Sequence, residues 1–311
     1  MFGSPLLYVI IFSLLFWCAS PSKREEQQNK REKSNAKPPT NTNITSVICV
    51  LMKFEETYVD EWITYHKLLG FNHIHIMENG DNMTDKMKLL PDIYGNLVSV
   101  EHYPGIEIQA KSYQSCAKRY NQTGHWIAFI DSDEFIMLRK HHSINDFIQE
   151  IALIADSVSI HRVIFGSNHL KYYQNLPVLM RFTRRGTSID NMMKTIAHAP
   201  SIKEARVHAS VMHREQRRVD ANGNRVGDLS AGTHRNKKEN VAVIYHYRMK
   251  SEEEYLRRKE RGDAVFYEAG QQLATNRTLA LELFHSLDQH ANEVVDERAW
   301  DFFRARSKGI L

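Results

Sequence analysis

The sequence has only three cysteines and no Cys-x-x-Cys pair, too few for a disulfide scaffold. Charge of one sign is also missing. Of 41 Lys and Arg and 37 Asp and Glu, six basic and three acidic residues precede residue 43, leaving 35 against 34 in the remainder. A body so nearly neutral lacks the one-sided field of a nucleic-acid-binding surface, so no nucleic acid is expected as a partner. There is no internal repeat and no His-Glu-x-x-His. Neither His73/His75 nor His141/His142 has a second ligand pair at structural-zinc spacing. Only 14 Gly and 8 Pro among 311 residues, with 42% apolar, exclude collagen-like, disordered and polytopic membrane classes and allow one large domain or two small ones.

The one long apolar run lies at the front. Residues 5–19 read PLLYVIIFSLLFWCA, followed at once by the polar stretch SKREEQQNKREKSNAKPPT. Taken from 1 to 21 the segment reaches spanning length, and Pro21 spoils the best cleavage position, so a signal anchor over 1–21 and a flexible stem over 22–45 are expected, with a cleaved signal as the alternative. Asn-x-Ser/Thr sequons at Asn43, Asn82, Asn121 and Asn276 favour a lumenal body in the secretory pathway, anchored in the membrane as a single-pass type II protein.

After the stem, apolar strand-like runs alternate with helix-period segments. SVICVLM, HIHIM, LVSVEHY and HWIAFI read as strands. The stripe Val59, Trp62, Ile63, His66 and Leu69 reads as a helix, as do segments near 84–90 and 108–120. This alternation implies an α/β fold, a mostly parallel sheet covered on both faces, with ligands at the carboxyl ends of its strands. Beyond about residue 155 SVSIHRVIF, PVLMRF, RVHASVM and VAVIYHY are strands of a mixed part, and Ser251 with Glu254 makes a capping box. Helices close the chain, and the loop 220–239 reads as a disordered insertion. Cys49 and Cys116 are expected as buried thiols, with a disulfide between them as the alternative.

The densest chemistry lies in WIAFIDSDEFIML. An apolar strand ends at Ile130, and Asp131, Asp133 and Glu134 follow within four residues. Asp131 and Asp133, separated by Ser132, project to similar sides of an extended backbone. Hard oxygen ligands at a strand end can hold a divalent cation against a diphosphate. Glu55 and Asp81 end the first two strands, where an acid can accept from a ribose. Arg181, Arg184 and Arg185 face either a phosphate or solvent.

Several blocks together resemble glycosyltransferase family 92 and the family 2-like group of GT-A fold, formerly domain of unknown function 23. They are Lys53, Glu55, Glu61, Trp62, Tyr65, His66 and Gly70; the turn Glu78 to Asp81; Gln109, Cys116 and the WIAFIDSDEFI run. Further along come Phe165 to Ser167, Arg181 to Arg185, Lys194, and the HYRMKS block with Gly262. Phe54 stands where the family commonly has Asn, and FGSNH is one residue shorter than the common form. The resemblance implies a GT-A glycosyltransferase domain over 46–311, with a nucleotide-binding half over about 46–155 and an acceptor or closing half over about 156–311. It implies a hexosyltransferase that moves galactose, foremost, from a UDP-sugar to a glycan acceptor on a glycoprotein or glycolipid, with Mn2+ or another divalent cation and inversion at the anomeric carbon. Asp131, Asp133 and His246 would bind the metal. Glu55, Asp81, Asp131, Lys194 and Lys250 would bind the donor, with Lys250 at the phosphates, and Glu134 would orient one of the aspartates. Asp190, Glu204 and His208 are the candidates for the base. A nucleotidyltransferase, or a non-catalytic nucleotide- or glycan-binding relative, are the alternatives.

Overall fold

A computed structural model describes residues 44–227, 237–261 and 276–307. The expected anchor, the stem before residue 44, the middle of the 220–239 loop and Gly262 lie outside the described residues. Among the described residues no helix is long and apolar enough to cross a membrane.

The first half alternates as expected: β1 (Ser46–Met52), α1 (Val59–Leu69), β2 (His73–Glu78), α2 (Asp85–Tyr94), β3 (Val98–His102), α3 (Gln109–Tyr120) and β4 (Trp126–Phe129). β1 lies parallel to both β2 and β4, and β2 parallel to β3. Thereafter come β5 (Glu134–Leu138), α4 (Ile144–Ala152), β6 (Ser157–Phe165), the four-residue α5 (Val178–Arg181) and β7 (Arg184–His198). The chain continues through β8 (Ile202–Glu204), β9 (Val211–Met212), β10 (Arg218–Asp220), β11 (Ala242–His246), α6 (Glu252–Glu260), α7 (Arg277–Asp288), β12 (Val294–Val295) and α8 (Arg298–Arg306). The main sheet runs β3-β2-β1-β4-β7-β6-β11-β5, with β10 on β6 and β12 on β7, while β8 and β9 pair apart from it. β7 is antiparallel to β4 and β6, and β11 to β5, so an α/β sheet that begins parallel becomes mixed towards the C-terminus, as expected.

Period-two alternation on β1 splits the core. Ile48, Val50 and Met52 pack with Val59, Trp62 and Ile63 of α1, whereas Cys49 and Leu51 pack with Tyr113 and Cys116 of α3. On the α3 face Cys49 and Cys116 form a disulfide, with Cα atoms 6.2 Å apart, which corrects the expectation of free thiols. The cross-link closes a loop of 67 residues between a central strand and its covering helix, a constraint on the unfolded chain of about 4 kcal/mol in the chain-entropy account.

Three further expectations change. PVLMRF is not a strand: Pro177 leads into α5, and the Glu61 carboxylate accepts from the Val178 and Leu179 amides at 2.7 and 2.9 Å, fixing a helical turn. RVHASVM keeps only the two residues of β9 as strand. The described part of the 220–239 loop is an ordered turn, in which the buried Asp220 carboxylate accepts from the Asn222 and Asn224 amides at 2.8 and 3.0 Å. The longest strand, β7, has no apolar run to announce it. Its conformation comes from pairing with β4 on one edge and β6 on the other.

His66 of α1 is fully buried, its Nδ1 2.9 Å from the Trp62 carbonyl oxygen, and burial pushes its pKa down to about 3. The unfolded chain, with His66 at its ordinary 6.5, therefore binds the extra proton first, and stability falls as pH drops through the window from about 6.5 to about 3. Urea unfolding should show wild type losing about 1.5 kcal/mol more than His66→Gln between about pH 6.5 and pH 5. Equal losses would remove His66 as the source.

Candidate active site

β4 carries the chain out of the core at Phe129, and β5 takes it back at Glu134. The turn between them holds the acids. The Glu134 side chain closes that turn, Oε2 accepting from the Asp131 amide at 3.0 Å. The carboxylate is fully buried and lies 3.4 Å from both Lys194 Nζ and Arg162 Nη1. Glu134 is thus a structural anion that shapes the backbone of Asp131 and keeps two cations beneath it.

Asp131 is supported from the protein side. Its Oδ1 accepts from Gln109 Nε2 at 2.7 Å and the Tyr113 hydroxyl at 3.1 Å, and Lys194 Nζ lies 2.7 Å from Oδ2. Burial works to raise its pKa, but the Lys194 ammonium overcomes this and holds the carboxyl below its ordinary value. Lys194 is only 1% exposed; it underlies Asp131 and Glu134 instead of facing open space.

Asp133 turns the other way. Its Oδ1 is 3.3 Å from His246 Nε2, and its Oδ2 accepts from Arg258 Nη1 at 2.9 Å. Burial again opposes ionisation, yet His246 and then Arg258 hold the carboxyl well below the usual range. The strand register makes the pair: His246 stands opposite Glu134 across β11 and β5, and the Tyr247 amide donates to the Asp133 carbonyl at 2.8 Å.

Beside this turn, between the β1–α1 connection and α6, lies a cavity of about 240 Å³. Glu55 borders it, paired with Arg261, while Lys250 Nζ sits 3.8 Å from Glu55 Oε2 and 3.4 Å from the centre of the Tyr58 ring. Burial pushes the Lys250 pKa down, against the pull of Glu55 and Asp133. Glu55, Lys250, Asp131, Asp133 and His246 are therefore gathered around one region, whereas Asp81 is exposed at the end of β2.

Asp190 is held by Arg162 Nη2 at 2.5 Å, and His208 lies within electrostatic reach of Lys194, Arg162 and Asp131. Glu204 stands apart from this group, exposed in an ion pair with Arg206 at 2.8 Å. Arg181 and Arg185 face neither phosphate nor solvent. Arg181 makes a buried two-pronged contact with Glu254, and Arg185 pairs with Asp296. Arg162, Arg258 and Arg261 were not singled out from sequence. Arg162 is the lone cation inside the apolar run SVSIHRVIF, whereas Arg258 and Arg261 sit in the charged run RRKER, where nothing local distinguishes them.

Among the described residues no three His, Cys, Asp or Glu side chains form a metal cluster. Asp133 and His246 nonetheless fit a divalent cation: one carboxylate and one imidazole 3.3 Å apart, the spacing of adjacent ligands on one ion, beside a basic cavity able to receive phosphates. Such ions commonly take one or two protein ligands and complete their shell from substrate phosphates and water. Asp131 is turned towards Lys194.

The glycosyltransferase family 92 model matches residues 44–278. The chain belongs to glycosyltransferase family 92. A family 92 protein from Ricinus communis is 25% identical over 171 residues, covering 53% of this chain and 30% of the relative. One from Arabidopsis thaliana is 31% identical over 98 residues, 31% of this chain and 17% of the relative. The chain thus spans less than a third of the length of these curated relatives. A solved structure of S. aureus TarS residues 1–349 aligns with a TM-score of 0.35 at 14% identity, over 78% of this chain and 71% of that one.

The blocks that carried the family resemblance acquire physical roles. β5 is the terminal strand of the sheet order, and its outward carbonyls are covered by side chains: Trp62 Nε1 donates to Glu134 O and the Tyr65 hydroxyl to Ile136 O, both at 2.9 Å. The FGSN block fastens the C-terminal region. Ser167 N and Oγ donate to the Asp288 carboxylate at 2.7 and 2.6 Å, and a Cβ on Gly166 would lie 2.3 Å from Asn292 Oδ1. Phe54 has φ 56°, a left-handed conformation that Asn adopts more readily than Phe. Its ring is 45% exposed, so Phe54→Asn sacrifices little packing and should raise the unfolding free energy by about 0.5–1 kcal/mol in urea titration. A destabilised variant would show that the ring outweighs the backbone strain.

Proposed function

We propose that this family 92 protein transfers a hexose, galactose foremost, from a UDP-sugar to a glycan acceptor with inversion, assisted by a divalent cation such as manganese. The observation that carries the reading is the meeting of Asp133 with His246 beside a cavity whose lining holds more cations than carboxylates. A bound cation would supply positive charge for the departing diphosphate. Asp131, kept ionised and oriented by Lys194, Gln109 and Tyr113, is suited to accept from the ribose hydroxyls. Inversion requires a base for the acceptor hydroxyl. Asp190 is tied up in an ion pair with Arg162, whereas His208, its pKa pushed down to about 4 by burial and by Lys194 and Arg162, is an uncharged imidazole at neutral pH; it is a weak base, but the candidate not held by a counter-charge.

Turnover of the full chain against a panel of nucleotide sugars, with and without manganese, tests this. Release of UDP is expected; release of inorganic diphosphate would instead indicate a nucleotidyltransferase. Asp133→Asn should abolish manganese-dependent UDP binding with the fold intact by circular dichroism, and His208→Ala should lower kcat by about 100-fold or more with UDP affinity retained. Unchanged metal-dependent UDP affinity in Asp133→Asn would overturn the assignment.

The same reading places the body in the lumen of the Golgi or secretory pathway, held by the front segment as a type II membrane protein. The Cys49–Cys116 disulfide supports it, since such bonds persist in oxidising compartments, and the sequon residues Asn82, Asn121 and Asn276 are exposed. Protein made in a secretory host should shift in mobility on glycosidase treatment, with Asn43 in the stem the foremost acceptor. Absence of the shift together with protease access from the cytosol would reverse the topology.

A further inference from the structure

Five cationic side chains line the cavity beside Asp133, and four have partners. Lys250 rests on the Tyr58 ring near Glu55, Arg257 pairs with Glu253, Arg258 with Asp133, and Arg261 with Glu55 and the carbonyls of Lys53 and Phe54. Arg248 is the exception: among the described residues it makes no hydrogen bond and no ion pair, although it is half-buried on the cavity wall two residues beyond His246. Arg257, Arg258 and Arg261 line the same cavity, so the wall it stands on carries like charge. A half-buried guanidinium with no ion pair keeps its donors available, and its planar fork matches two phosphate oxygens at once.

We propose that Arg248 is the diphosphate-binding residue of this site, an unpaired guanidinium held on the cavity wall to receive the anion of a nucleoside diphosphate. The inference deepens the nucleotide-sugar reading and depends on it for the nucleoside, though not for the anion. It also changes the part expected of Lys250, whose ammonium is already committed to Tyr58 and Glu55. The β11–β5 pairing that brings His246 to Asp133 continues through the Tyr247 amide, so Arg248 leaves the strand end in a fixed place relative to Asp133.

The test is calorimetric titration of the full chain and of Arg248→Gln, Arg248→Lys and Arg304→Gln, the last an exposed arginine of α8 away from the cavity, with UDP, UMP and inorganic diphosphate. Arg248→Gln should weaken UDP and inorganic diphosphate at least tenfold and UMP less than threefold, Arg248→Lys should recover part of the loss, and Arg304→Gln should match wild type. The thermal midpoint of Arg248→Gln should equal or exceed that of wild type, because an unpaired cation is removed; a purely structural arginine would lower it. Wild-type affinity for both diphosphates in Arg248→Gln, an equal loss for UMP, or no diphosphate binding by wild type would overturn the proposal. Arg248-dependent binding of inorganic diphosphate with no gain from the nucleoside would uphold the anion site while the UDP-sugar reading fell.

Discussion

A fully buried carboxylate governs the centre of this protein. Glu134 gives one oxygen to the Asp131 amide and sits between Lys194 and Arg162, and these cations in turn reach Asp131 and Asp190. Anion and cation alternate through the group, so each charge withdrawn from water has an opposite charge beside it, and removing one member would strand the rest. Asp131 is held from beneath by this arrangement. Asp133, next to Glu134 in the chain, is left to face His246 and Arg258.

The sheet supplies the frame for these charges. Lys194 and Arg162 come from adjacent antiparallel strands, β7 and β6, and His246 from β11, which lies between β6 and β5. A one-residue slip of β11 on β5 would turn the imidazole to the opposite face. β5 is therefore fastened on both edges, by β11 through the backbone and by Trp62 and Tyr65 of α1 through their side chains. At the other end of β6, Gly166 and Ser167 receive Asn292 and Asp288, which binds the segment after α7 to the sheet. Much of what marks the family thus maintains the register of a few strands.

Strongly patterned elements were legible in the sequence. The stripe on α1, the apolar strands β1, β2, β4 and β6, and the capping box at Ser251 each follow from neighbouring residues, and each is present. β7 was not legible, because its polar sequence becomes strand only when two partners supply its hydrogen bonds. The turn at Pro177 was misread as strand, because the carboxylate that caps it, Glu61, lies more than a hundred residues away. Local patterns carry no record of such distant partners.

The same division runs through the candidate site. Sequence by itself determined that Asp131, Asp133 and Glu134 follow a buried strand, and that an imidazole ends a later one, since chain order and periodicity fix both. Only the tertiary structure decided that Glu134 is buried as a structural anion, that Lys194 lies beneath Asp131, that Glu204 stands in an exposed pair, and that Arg248, alone among the cavity's cations, has no partner among the described residues. The physical reason is that a side chain's charge environment is set by residues far away in the chain, brought within a few ångströms by strand pairing, and one-dimensional spacing does not encode those distances.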